Sequence, residues 1–196
     1  WQPMKLSVIL RWVVIVGIFV LPFVPLFVSS SLFFPFITGK NFAFRIIVEV
    51  VFGLWLILVF ANKEYRPRAS WLLKAYGLLM VVMVLATIFG SDPFHSFWSN
   101  SERMEGLVGH LHLFAYFIVL ISVLRSKKFW GWLVHTSLGV NAIVAVYSLL
   151  QLSGQIKINQ SSARVDATFG NATYLAVYEL FHIFFILILL SHLITS

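Results

Sequence analysis

The chain contains no cysteine. Disulfides, thiolate nucleophiles and Cys-ligated metals are therefore excluded from any account of its stability or chemistry. Charge is scarce as well: 11% of the 196 residues are Asp, Glu, Lys or Arg, and only 7 are acidic. A soluble domain carries roughly 25% charged residues, so this chain has too few to cover a solvated surface. No Walker loop, dinucleotide fingerprint, nucleophile elbow or His-Glu-x-x-His pair is present, which removes the common nucleotide-dependent and zinc-dependent classes.

What fills the chain is apolar. Hydrophobic residues make up 60% of it, and the mean hydropathy is +0.94. A bilayer core takes about 20 mostly apolar residues per helix. Six segments meet or approach this, at Leu6 to Val28, Phe44 to Phe60, Trp71 to Phe89, Leu107 to Leu124, Trp130 to Leu150 and Ala172 to Leu193. The expected fold is an all-α, polytopic membrane protein of about six transmembrane helices joined by short loops. Residues 1–196 read as one transmembrane helical domain, expected to be the N-terminal part of a longer membrane domain. The first segment is too long for a cleavable leader and lacks a small-residue cleavage site, so it reads as a retained span. Pro22 and Pro25 within it predict a kink rather than a boundary.

The 14 basic residues outnumber the acids, for a net charge of +7. In a soluble protein such an excess points to nucleic acid. In a membrane protein it is an orientation signal, because Lys and Arg collect in cytoplasmic loops. Lys5 precedes the first span, Lys63, Arg66, Arg68 and Lys74 follow the second, and Arg125, Lys127 and Lys128 follow the fourth. These ends and both termini are thus expected on the cytoplasmic side. The opposite face then receives Ser29 to Asn41, Gly90 to Gly106 and Gln151 to Asn171. Phe33, Phe34, Phe36, Phe94, Phe97 and Trp98 gather there as an aromatic belt.

Two short polar segments on that face carry an arginine each: Arg103 in Gly90 to Gly106, and Arg164 in Ala163 to Ala176. Loop arginines can simply bridge to neighbours such as Glu102, Glu105 or Asp166. They can also bind anions, since a guanidinium offers a planar fork of donors matched to phosphate oxygens. Asn171 reads as the N-cap of the last helix, an end that favours anions. Within the apolar runs, Arg45 and Glu49 share a helix face and can neutralise each other, and Glu179 and His182 form a candidate proton-handling pair. His110 and His112 are two apart and point to nearly opposite sides, so no metal site is expected.

The stretch Ser96-Phe97-Trp98-Ser99-Asn100-Ser101-Glu102-Arg103-Met104-Glu105-Gly106, followed by His110-Leu111-His112-Leu113, resembles the N-terminal half of bacterial O-antigen ligase and O-antigen polymerase-like proteins. So does Arg164-Val165-Asp166-Ala167-Thr168-Phe169-Gly170-Asn171-Ala172-Thr173-Tyr174-Leu175-Ala176. The resemblance implies a metal-independent and cofactor-independent glycosyltransferase of the bacterial inner membrane. Such an enzyme moves a glycan from undecaprenyl diphosphate to an acceptor at the periplasmic face. It further implies that Arg164 and Arg103 bind the diphosphate; Asn171, Arg45, Glu179 and His182 are candidate supporting residues from their own chemistry and positions. The family's catalytic histidine lies in a later periplasmic loop that this chain does not contain, so no catalytic residue is assigned. Expected partners are membrane lipid, the polyprenyl-diphosphate-linked glycan, and either a membrane protein partner or a C-terminal half. No nucleic acid is expected. Two rival readings are a non-catalytic membrane subunit or scaffold, and a transporter.

The orientation is directly testable, because the lack of native cysteine makes introduced ones free of background. Ser99→Cys and Ser161→Cys are expected to react with a membrane-impermeant thiol reagent added from the periplasmic side, and Ser126→Cys is not. Labelling of Ser126→Cys alone would reverse the assignment.

Overall fold

The computed structural model describes residues 6–100, 103–160 and 163–195. Lys5, Ser101, Glu102 and Ser161, which carry parts of the reading above, lie outside the described residues. Among the described residues the regular structure is helical throughout, with no strand. The elements are α1 (Leu6–Val20), continued by a 3-10 helix (Leu21–Leu26), then α2 (Thr38–Ala61), a 3-10 turn (Lys63–Tyr65), α3 (Trp71–Ile88), α4 (Pro93–Trp98), α5 (Leu107–Val123), α6 (Lys127–Leu152) and α7 (Ala172–Thr195).

Among the described residues, five helical stretches are long and apolar enough to cross a membrane: α1 with its 3-10 continuation, α2, α3, α6 and α7. The expected fourth span, α5, is apolar but has 17 residues, or about 26 Å at 1.5 Å per residue. The chain is an all-α, polytopic membrane protein. Side-chain exposure follows from this. Phe60 is 85% exposed and Leu193 74%, a cost of roughly 25 cal/mol per Å² in water that lipid tails remove.

Local chemistry sets most element ends. Ser70 accepts the Leu73 N–H at 3.1 Å to open α3. Asp92 accepts the His95 N–H at 2.9 Å to open α4, with Pro93 in the first turn where its missing N–H costs nothing. At Pro22 and Pro25 the helix does not simply kink. The α-helix proper stops at Val20 and the path tightens into a 3-10 helix, with Phe27 N–H reaching Val24 O at 3.0 Å. Each proline lacks an N–H and its ring crowds the carbonyl one turn back, and i to i+3 bonding relieves both.

The chain divides into two compact units, Trp1–Leu21 with Asn41–Ser126, and Pro22–Lys40 with Lys127–Ser196. In the first, Val14 and Ile18 of α1, Val48, Trp55 and Leu58 of α2, and Val119 and Val123 of α5 form the buried core. The α3 helix joins it through Tyr76, whose ring lies 5.0 Å from Phe114 and 5.4 Å from Phe117 of α5. In the second, α6 and α7 pack through Val144 and Leu175, with Ala167 between helix and loop. Ser137 of α6 meets His182 of α7 at 2.9 Å.

Gly170 marks the tightest point of the second unit. Its φ is +63°, and a Cβ there would sit 2.6 Å from Cγ of Phe36. Gly154, with φ +77° and open space around it, isolates the conformational cost alone. Gly154→Ala is expected to lose about 1 to 2 kcal/mol for the left-handed backbone. Gly170→Ala should lose about 1 to 3 kcal/mol more from overpacking. Thermal unfolding in detergent micelles checks the order; equal losses would show that Phe36 yields freely.

Candidate functional site

The loop between α4 and α5 folds back on itself because its residues accept unusual backbone. Ser99 and Met104 adopt φ of +60° and +48°, conformations that cost a non-glycine residue of order 1 to 3 kcal/mol each. Gly106 permits the closure, since a Cβ there would lie 2.4 Å from the Phe97 carbonyl oxygen. Two side chains of α2 hold the result. Asn41 donates through Nδ2 to the Arg103 carbonyl. Arg45 donates to the Met104 carbonyl and, through Nη1, to its Sδ at 3.3 Å. Arg45 lies seven residues in from Thr38, about 10 Å along the helix axis. The guanidinium supplies donors to this turn, as a turn beside a membrane helix requires wherever water is excluded.

Beside this turn is a cavity of about 420 Å³ lined by Asn41, Phe44 and Arg45 of α2, Met104 and Glu105 of the turn, and Gly109, His110 and Leu113 of α5. Arg45 is 8% exposed. Its polar contacts are with Met104, so among the described residues no carboxylate touches it. A buried cation without a contacting counter-charge favours an anion beside it. Asn41 and His110 add hydrogen-bonding capacity, while Phe44 and Leu113 make an apolar wall. The arrangement suits an amphiphile with an anionic head.

Arg45 and Glu49 remain within electrostatic reach of each other along α2, but their direct contacts go to other elements. Glu49 bonds His112 of α5, with Oε1 at 3.0 Å from Nε2. His110 and His112 accordingly serve different neighbours, one the cavity and one Glu49. Arg103 is half-buried in the first unit and gives its carbonyl to Asn41. Arg164 is exposed and belongs to the second unit.

In the second unit the loop carrying Arg164 is organised by Asp166, which is fully buried. Its carboxylate accepts from Gln151 Nε2 at 2.9 Å, from Asn159 N and Nδ2 at 3.2 Å each, and from Gln160 N at 2.7 Å. Gln151 Oε1 returns the favour, accepting the N–H groups of Asp166 at 3.2 Å and Ala167 at 2.7 Å. Lys40 pins the same loop through the Thr168 carbonyl and also donates to Phe36 O at 3.0 Å. Asn171 caps α7 as expected, accepting the Thr173 N–H at 2.8 Å. His182 turns to Ser137 Oγ at 2.9 Å and Tyr178 O at 2.7 Å rather than to Glu179.

Asn41, Gln151 and Lys40 were not singled out by the sequence. Their only signal was polarity at the ends of apolar runs. Compared with protein-family models, curated proteins and solved structures, the chain matches none.

The Asp166 network makes a sharp prediction. Asp166→Asn preserves shape but turns one acceptor oxygen into an NH₂ group that faces donors. It is expected to destabilise by about 1 to 3 kcal/mol for the unmatched buried groups and to expose residues 153–171 to protease. Arg164→Gln, at an exposed position, should leave both readouts at the parental level. Parental melting of Asp166→Asn would show that water enters the loop.

Proposed function

We propose that the chain is a segment of an O-antigen ligase-like glycosyltransferase of the bacterial inner membrane. Its α2–α5 cavity takes the diphosphate end of a polyprenyl-linked glycan at the periplasmic face, with both termini cytoplasmic. The observation that carries the reading is Arg45, a buried guanidinium that lines an amphipathic cavity and touches no carboxylate among the described residues. The cavity walls add support, because Met104, Glu105, His110 and Leu113 all belong to the first stretch that resembles the family.

On this reading the cavity residues divide the work. Arg45 neutralises the headgroup, Asn41 and His110 orient it, and Phe44 and Leu113 accept the first isoprene units. Arg103, whose carbonyl is held beside the cavity, adds to its positive charge; a diphosphate role for Arg164 rests on the family resemblance alone. Positive charge preorganised around a diphosphate stabilises it as a leaving group when a glycosidic bond breaks. The reacting histidine that the family resemblance implies is not assigned within this chain.

Binding of undecaprenyl diphosphate to the purified protein, followed by native mass spectrometry, tests the reading. Lys keeps the charge of Arg45 but loses the planar fork. Arg45→Lys is expected to weaken binding by about ten- to a hundredfold, as loss of a charge-assisted hydrogen bond worth roughly 1.5 to 3 kcal/mol implies. Arg164→Lys and Arg103→Lys should weaken it in the same direction, Arg103→Lys more mildly. Melting temperature separates a lost ligand contact from a collapsed turn. Parental affinity in all three variants would dismiss the diphosphate.

A further inference from the structure

Glu49 is the twelfth of the 24 residues of α2, near the middle of a helix long and apolar enough to cross a membrane. Its side chain is 65% exposed. The neighbouring exposed positions on the helix are Ile46, Val50 and Ile57, so the carboxyl opens toward a lipid-facing apolar surface. An isolated carboxylate at that depth is costly and needs a partner.

The partner is His112, and the hydrogen-bond geometry counts the protons. His112 Nδ1 lies 2.7 Å from the Val108 carbonyl. A carbonyl only accepts, so Nδ1 carries a hydrogen. Nε2 lies 3.0 Å from Glu49 Oε1, and a contact of that length needs one hydrogen between the two atoms. It resides either on nitrogen, giving imidazolium and carboxylate, or on oxygen, giving imidazole and carboxylic acid. Both forms are neutral overall. Without that proton, an imidazole lone pair would face a carboxylate, leaving net negative charge in an apolar setting.

The surroundings leave the proton as the ligand. The pair opens into a cavity of about 380 Å³ whose other walls are apolar, among them Val48, Phe52, Phe114 and Ile118. Two ligand atoms are too few for a sodium or calcium ion, the latter taking 6 to 8 oxygens. The other ionisable groups nearby have their own places. Arg45, one turn away on α2, gives its hydrogen bonds to Met104, and its charge reaches Glu49 without touching it. His110 lines the other cavity. Tyr116 meets Phe44 edge to face, Tyr76 of α3 meets Phe114 edge to face, and α1 presents Val14 and Ile18 to the core.

We propose that Glu49 and His112 form an intramembrane proton-binding site, separate from the headgroup cavity and open to the lipid phase. The site holds one proton shared between carboxyl and imidazole.

Dicyclohexylcarbodiimide, a hydrophobic reagent, tests this on the intact protein in native membranes. A carboxyl group adds across its C=N bond, the proton passing to nitrogen, and the adduct rearranges to an N-acylurea with no leaving group. Mass spectrometry is expected to locate the adduct at Glu49, absent in Glu49→Gln. A charged, water-soluble carbodiimide should label Glu49 at least tenfold more slowly. His112→Leu leaves the carboxyl to hold the proton alone, and should move the pH at which labelling falls away. A histidine with only a packing role would not move that midpoint. Equal labelling by the two reagents, no adduct at Glu49 in membranes, or an unmoved midpoint in folded His112→Leu would each overturn the proposal. If His112→Leu does not fold, the reagent comparison with Glu49→Gln as blank still decides it.

Discussion

Backbone carbonyls released by a turn at membrane depth have no water to bond, and each must be met by a donor from the protein itself. In this chain long side chains reach loop carbonyls both beside the apolar runs and in the connections outside them. Arg45 serves Met104, Lys40 serves Phe36 and Thr168, Arg125 serves Glu64, Arg66 and Ser122, and Trp55 Nε1 reaches Tyr65 O at 3.2 Å. The basic excess that orients a membrane protein thus also fastens its connections. Guanidinium suits this work because one head carries five donors and serves two carbonyls at once.

The same constraint produces the candidate site. A turn that enters alongside α2 needs Arg45 for its carbonyl, and satisfying the carbonyl leaves the positive charge without a contacting carboxylate. Charge satisfaction and hydrogen-bond satisfaction are separate requirements: Met104 meets the second by direct contact, while the first is left to carboxylates that do not touch the guanidinium, Glu49 on the same helix and Glu105 on the cavity wall. The cavity next to Arg45 is where an anion would meet the first. Asp166 presents the opposite case. Its carboxylate accepts from side-chain and backbone donors of its own unit, so it acts as the knot of a loop.

Glu49 and His112 show how little polarity a membrane segment tolerates without pairing. One proton makes the couple neutral, and the remaining walls of their cavity are apolar. Arg45 and Glu49 sit one turn apart on α2 but face different tasks. The first stabilises a turn and an anion-accepting cavity, and the second holds a proton toward lipid.

Composition and run length alone determined the class: helical, polytopic and membrane-embedded, with elements close to their expected limits. This is because the bilayer imposes length and hydrophobicity residue by residue along the chain. Asn171 as a cap was legible for the same reason, since a cap bonds within its own first turn. The partners of the buried polar residues were not legible. Helical periodicity names neighbours three and four apart, and so suggested Arg45 with Glu49 and Glu179 with His182. The fold instead joins Arg45 to Met104, Glu49 to His112 and His182 to Ser137, partners 59, 63 and 45 residues away. Which helix faces which, and at what rotation and depth, depends on the summed packing of many side chains. Only the tertiary structure could decide those pairings, and with them the place of the cavity.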